Sequence, residues 1–259
     1  MPVWIGTSGW QYRDWAGRFY PEGVAQSRWL EHYAGNFRTV ELNNAFYRLP
    51  EPKTFAGWKQ RTPTDFVMAV KASRYLTHIR RLRDPEEPVA RFLRHARHLG
   101  AKLGPVLLQL PPSLGADRDA LARTLDCFPD DVRVAVEFRH ESWFTDDLRS
   151  LLTENDAALC LADSPKRRTP EWRTASWGYI RFHEGTATPP PCYDRTVLAA
   201  WAGRLAALFG PDDDVYAYFN NDPRGCAVRD AQRFAGETEN AGLTPTRVGR
   251  EREVVVAPA

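Results

Sequence analysis

Ten residues able to bind an anion or move a proton stand at or near the ends of separate apolar runs in this chain: Glu41, Asn43, Lys71, Gln109, Glu137, Arg139, Asp163, Arg181, His183 and Asn220. Cations fix a ligand anion, and a carboxylate or imidazole beside them can take or give a proton. The reading is that Lys71, Arg139 and Arg181 hold the anion while Glu41 or Glu137, with His183, acts catalytically; Asn43, Gln109, Asp163 and Asn220 add binding contacts. A carboxylate next to a cation keeps a low pKa, which suits a base better than an acid. The competing reading is a structural polar network that closes the top of a core.

The charges in this set balance: Glu41, Glu137 and Asp163 face Lys71, Arg139 and Arg181. Buried charges are tolerated when paired, so the set neutralises itself without a divalent ion. No metal and no cofactor is therefore required. Glu41, Glu137, Asp163 and His183 are still acceptable metal ligands, which keeps metal-dependent phosphoester hydrolysis as an alternative.

The apolar runs that carry these residues are Val3–Thr7, Thr39–Asn43, Phe66–Lys71, Val106–Gln109, Val134–Arg139, Ala158–Asp163, Tyr179–His183 and Val215–Asn220. Most are separated by segments of helical length and periodicity: 26–37, 51–61, 88–100, 117–127, 145–155, 196–209 and 229–241. Ser164–Ser176, rich in Pro, Arg and Thr, lacks an apolar stripe, so a loop is expected after the sixth run. Eight strands with polar carboxyl ends predict an α/β fold, a TIM-like (β/α)8 barrel whose mouth is the site.

Side chains two apart on a strand share a face. Glu41 and Asn43 therefore oppose Val40 and Leu42, Glu137 and Arg139 oppose Val136 and Phe138, and Arg181 and His183 oppose Ile180 and Phe182. Lys71, Gln109 and Asp163 are taken into the same inward set. The bulky apolar face meets the outer helices, and the polar face lines the mouth.

At 259 residues the chain has the usual length of one such barrel, near ~250 residues. A single domain over 1–259 is expected, with a tail from about 244 and a short strand or loose segment at Val254–Val256. No leader pattern and no membrane-length apolar run is evident, which predicts a soluble cytoplasmic protein and no membrane partner. Cys127, Cys160, Cys192 and Cys226 lack zinc or redox spacing and read as reduced thiols, with Cys160 a small core residue. Nothing here sets an oligomeric state.

Net charge is only +2, so anion binding depends on local clustering. From Lys71 to Lys102 nine Lys or Arg face three acids. Arg91, Arg94, Arg97 and Lys102 suit a solvated outer helix, whereas Lys71, Arg74, His78, Arg80 and Arg81 lie in a mouth loop, with Lys166, Arg167 and Arg168 in another. Aromatics gather in the loop 8–21, at Phe46-Tyr47, at Trp143-Phe144 and at Trp172. Loop packing accounts for most, leaving one or two to stack on a ring. An enzyme or binding protein for a small phosphorylated or nucleotide-like ligand is the first reading, and a non-catalytic nucleic-acid binder is its alternative.

The motifs Gly6-Thr7-Ser8-Gly9-Trp10, Trp15-Ala16-Gly17-Arg18-Phe19-Tyr20-Pro21, Glu41-Leu42-Asn43-Asn44-Ala45-Phe46-Tyr47 and Gln109-Leu110-Pro111-Pro112 occur in this order. Glu137-Phe138-Arg139-His140-Glu141-Ser142-Trp143, Arg181-Phe182-His183-Glu184-Gly185 and Tyr218-Phe219-Asn220-Asn221-Asp222 follow. Together they resemble the YecE-like family, known as domain of unknown function 72, from Ile5 to about Ala231. The resemblance implies a TIM-barrel-like fold and a bacterial or archaeal cytosolic protein, and it implies no particular reaction. Where the family pattern leads one to expect glycine directly after the histidine, Glu184 stands before Gly185.

Overall fold

Each of the eight apolar runs forms a strand in the computed structural model, which describes residues 1–249: β1 (Pro2–Thr7), β2 (Thr39–Leu42), β3 (Val67–Lys71), β4 (Leu103–Gln109), β5 (Val134–Glu137), β6 (Ala158–Ser164), β7 (Gly178–Phe182) and β8 (Val215–Phe219). They lie parallel in the spatial order β1, β8, β7, β6, β5, β4, β3, β2. The sheet curls until its ends approach, and Ser8, just past β1, bridges Glu41 of β2 in parallel. This is an α/β TIM-barrel-like fold, as the run pattern predicts.

The seam between β1 and β2 has its own construction. A Cβ on Gly6 would lie 2.3 Å from the Thr39 carbonyl oxygen, so the strands approach as they do only because position 6 has no side chain. The Tyr33 hydroxyl, from the first outer helix, accepts from Thr7 N–H at 2.9 Å and donates to Thr39 O at 3.1 Å. At the opposite end of β1 a two-residue strand, Thr244–Pro245, pairs in parallel with Pro2 and Val3. The expected tail thus begins as part of the sheet, and Val254–Val256 lies outside the described residues.

Among the described residues seven crossover helices follow: α1 (Trp29–Asn36), α2 (Pro52–Gln60), α3 (Glu86–Ala96), α4 (Arg118–Asp126), α5 (Asp146–Glu154), α6 (Arg195–Leu208) and α7 (Cys226–Asn240). Local chemistry sets several starts. Pro52 occupies the first turn of α2, Asp117 accepts from Ala120 N–H at 3.0 Å ahead of α4, and Thr145 caps α5 through Leu148 N–H. No helix follows β6. There Arg167–Arg168 turns back antiparallel onto β6, and the hydroxyls of Thr169 and Thr174 accept from Ala162 N–H and Leu159 N–H.

Two apolar layers result. Val40, Leu42, Val136, Phe138, Ile180, Phe182 and their equivalents pack against Leu30, Phe55, Val89, Leu121, Leu148, Leu198 and Phe234 of the helices. Inside the curl, Ala69, Leu107, Ala135, Ala158 and Cys160 pack with Tyr179, Tyr216 and Tyr218, small residues making room for large rings. Cys160 is thus the buried core residue expected. Cys192 and Cys226, expected as reduced thiols, instead form a disulfide that joins the loop before α6 to the start of α7. Their separation of 34 residues conceals a spatial contact that spacing rules cannot detect. Among the described residues no helix is long and apolar enough to cross a membrane.

Candidate functional site: a charged floor beneath a cavity

Strand parity brings Glu41, Glu137 and Arg181 to one level at the carboxyl end of the curl, all three essentially without solvent exposure. Arg181 lies between the carboxylates. Its Nη1 donates to Glu137 Oε2 at 2.6 Å and its Nη2 to Glu41 Oε1 at 2.8 Å. Tyr179, one turn of the pleat below, donates its hydroxyl to the other oxygen of Glu41 at 2.6 Å, and Arg139 Nε donates to Glu137 Oε1 at 2.8 Å. Every oxygen of the two carboxylates is therefore engaged.

The electrostatics follow from that geometry. Burial works against ionisation of Glu137, but Arg181, His183 and Arg139 outweigh it and hold its pKa well below the ordinary carboxylate range. Burial lowers the His183 pKa despite the attraction of Glu137, so the imidazole is neutral at neutral pH. Its Nε2 lies 3.3 Å from Glu137 Oε1 without the alignment of a hydrogen bond, and its Nδ1 lies 3.3 Å from Asn220 Nδ2.

Above this floor is a cavity of about 620 Å³ lined by Tyr12, Asn43, Phe46, Tyr47, Lys71, His78, Gln109, Arg139, Arg181, Asn220 and Asp222. Six of the ten sequence-derived candidates line it: Asn43, Lys71, Gln109, Arg139, Arg181 and Asn220. Glu41, Glu137 and His183 lie behind that lining, joined to it through Arg181, Arg139 and Asn220. Asp163 belongs elsewhere. Its Oδ2 accepts from Trp201 Nε1 of α6 at 2.5 Å and its Oδ1 from the Tyr193 hydroxyl at 3.2 Å, in the layer between sheet and helices. Leu159, Leu161 and Asp163 share a phase on β6, so strict parity puts Asp163 outside; its position at the strand end had suggested the mouth.

Lys71 differs from the other cations. It is 8% exposed, and its Nζ lies 4.1 Å from the centre of the Phe46 ring, with no carboxylate paired to it among the described residues. Burial, reinforced by Arg181, lowers its pKa to about 8. Burial raises the Asp222 carboxyl to about 7, against the hydrogen bond from Tyr12. Burial, then the neighbouring cations led by Lys71, lowers His78 to about 4. Among the described residues, buried polar atoms without a partner include Ser8 Oγ, Asn43 Oδ1, Arg181 Nε, His183 Nε2 and Asp222 Oδ1, all at this end of the curl.

Tyr12, Phe46, Tyr47, His78 and Asp222 complete the lining and were not among the sequence-derived site residues. Phe46, Tyr47 and His78 were visible in the sequence only as rim aromatics and a basic loop; Asp222 stands two residues past Asn220 in the last motif. The other rim aromatics pack: Trp15 and Trp143 are fully buried, and Trp15 Nε1 donates to Asp222 O, bracing one mouth loop on another. In the basic loop Arg80 pairs with Asp84 and Arg81 donates to Ser113 O at 2.8 Å, while Arg74 is exposed. Among the described residues no three His, Cys, Asp or Glu side chains converge as a metal-binding group.

Fold and mouth define a TIM-barrel-like protein with a buried, charge-paired floor. The family model described as "Protein of unknown function DUF72" matches residues 4–252, and the chain belongs to that family. It is 32% identical over 143 residues to the UPF0759 protein YecE of Escherichia coli K12, a match that takes in 55% of this chain and 50% of that protein. The chain thus spans about half the length of YecE, whereas its 27% identity to the UPF0759 protein YunF of Bacillus subtilis extends over 95% of this chain and 99% of that one. The crystal structure of a DUF72 family protein from Thermotoga maritima superimposes with a TM-score of 0.81 at 28% identity, covering 92% of this chain and all of the other.

Proposed function

We propose that this protein binds a small anionic metabolite, phosphorylated or nucleotide-like, in the cavity above Arg181. The observation that carries the reading is the charge arrangement. Glu41, Glu137, Arg181 and Arg139 compensate one another through direct hydrogen bonds, which leaves Lys71 as a buried positive charge on the cavity wall with no carboxylate paired to it among the described residues. A bound anion offsets that charge, and Arg139, whose Nε alone is given to Glu137, has its remaining donors for the same ligand. Gln109, Asn43 and Asn220 supply neutral hydrogen bonds around it, and Tyr47, 81% exposed, offers a ring face at the entrance.

In this reading Glu41 and Glu137 act through the arginines: they fix Arg181 and Arg139 in place, a positioning role, since neither carboxylate reaches the cavity lining. Proton movement falls to Asp222, which lines the cavity and whose pKa burial raises, while His183 stands behind the lining against Asn220. Nucleic-acid binding has less support, because Arg80 and Arg81 are engaged within the chain.

Titration with inorganic phosphate, followed by calorimetry and thermal unfolding, tests the proposal. Binding that raises the unfolding temperature of the wild type, and that weakens at least about tenfold in Lys71→Met and in Arg139→Met, is expected for loss of a charge-assisted contact. Equal affinity in wild type and both variants overturns it.

A further inference from the structure

We infer that Lys71 is a nucleophile that forms an imine with the carbonyl group of an anionic aldehyde or ketone entering this cavity. The inference rests on the anion-binding reading for the ligand's charge and goes beyond it in assigning a covalent step.

The position of the amine argues for it. A lysine at the carboxyl end of a barrel strand points into the region where such folds place their chemistry. The chain's other buried lysine makes the contrast: Lys102 gives its ammonium to Lys59 O, Thr62 O and Thr62 Oγ1 at 2.6, 2.6 and 3.0 Å, a set of acceptors that holds a cation as structure. Lys71 Nζ has no oxygen acceptor among the described residues and rests on the face of Phe46. Desolvation and a neighbouring cation are the two conditions that free an amine lone pair near neutral pH, and Lys71 meets both through its burial and Arg181.

The step balances within the cavity. The Nζ lone pair adds to the carbonyl carbon, the C=O pair moves to oxygen, and a proton passes from the nitrogen to that oxygen to give a carbinolamine. A second proton, supplied by an acid in the cavity, lets the oxygen leave as water while nitrogen loses its own proton, leaving the imine. Asp222 lines the same cavity and retains its proton close to neutrality, so it is the acid assigned. Arg139 holds the ligand's carboxylate or phosphate at a distance from the reacting carbon.

The test treats the full-length wild-type chain with glyoxylate and cyanoborohydride near neutral pH, then maps the modified peptides by mass spectrometry. Lys71 is expected to acquire a carboxymethyl group about tenfold faster than Lys53, Lys59, Lys102 or Lys166, because more of its amine is unprotonated. Acetaldehyde, which lacks the anion, should show a smaller preference for Lys71, and the peptide of Lys71→Arg should stay unmodified. Phosphate should slow labelling by glyoxylate. Labelling of Lys71 no faster than of the other four lysines overturns the imine; if phosphate still binds there, the anion reading survives alone. Preferential labelling that phosphate leaves unchanged supports the nucleophile and counts against the anion site.

Discussion

Arg181 is the residue on which the site depends, because it alone separates two buried carboxylates. Replacing it with Met leaves Glu41 and Glu137 without their principal counter-charge, and removing one partner of a buried ion pair costs about 3–5 kcal/mol. Urea unfolding of Arg181→Met should show a loss of that order; a loss below about 1 kcal/mol, the size of an exposed pair, would mean the floor is solvated. Asp222 gives a prediction in pH. Its folded-state pKa of about 7 lies above the ordinary value, so its contribution to stability is fully present below that ordinary value and is lost as pH rises through about 7. Asp222→Asn removes the ionisation. Its stability relative to wild type should therefore be greater at about pH 8 than at about pH 5, by about 1–3 kcal/mol, and equal differences at the two pH values would refute the buried acid.

At the scale of elements, the eight strands and seven helices were legible because burial on one face imposes a period of two on strands and of 3.6 on helices. Unit six was legible as a loop because Ser164–Ser176 lacks that stripe; its Thr169 and Thr174 hydroxyls serve the β6 backbone instead. Parity also found the floor, since Glu41, Glu137 and Arg181 alternate with Val40, Val136 and Ile180. At Asp163 the strand-end position misleads, because the residue shares the outward phase of Leu159 and Leu161 and meets Trp201. What alternation does not encode is contact beyond the strands: Tyr12, His78 and Asp222 reach the cavity from three different loops, and the Cys192–Cys226 bond joins the loop before α6 to the start of α7. The β1–β2 seam carries a direct prediction. Tyr33→Phe leaves Thr7 N–H without its acceptor and should cost about 1–3 kcal/mol in chemical unfolding, and Gly6→Ala should cost more, because its Cβ meets backbone. A neutral Gly6→Ala would contradict the close approach of these strands.

Across the whole molecule, a near-neutral chain buries Glu41, Glu137 and Arg181 as a mutually paired set at one end of a curled sheet, and beside them Lys71 has no carboxylate paired to it among the described residues. The outer helices pack on one face of the sheet and the interior tyrosines on the other, and the strand ends between them carry much of the cavity lining. Family membership accounts for the architecture and leaves the ligand to be argued from these charges. The most direct measurement is a crystal structure of the wild type soaked in selenate, whose anomalous signal marks the anion without ambiguity. Selenate is expected within hydrogen-bond distance of Lys71 Nζ and of an Arg139 nitrogen above Arg181; selenate bound only along the outer surface at Arg74, with none in the cavity, would rule out the anion site.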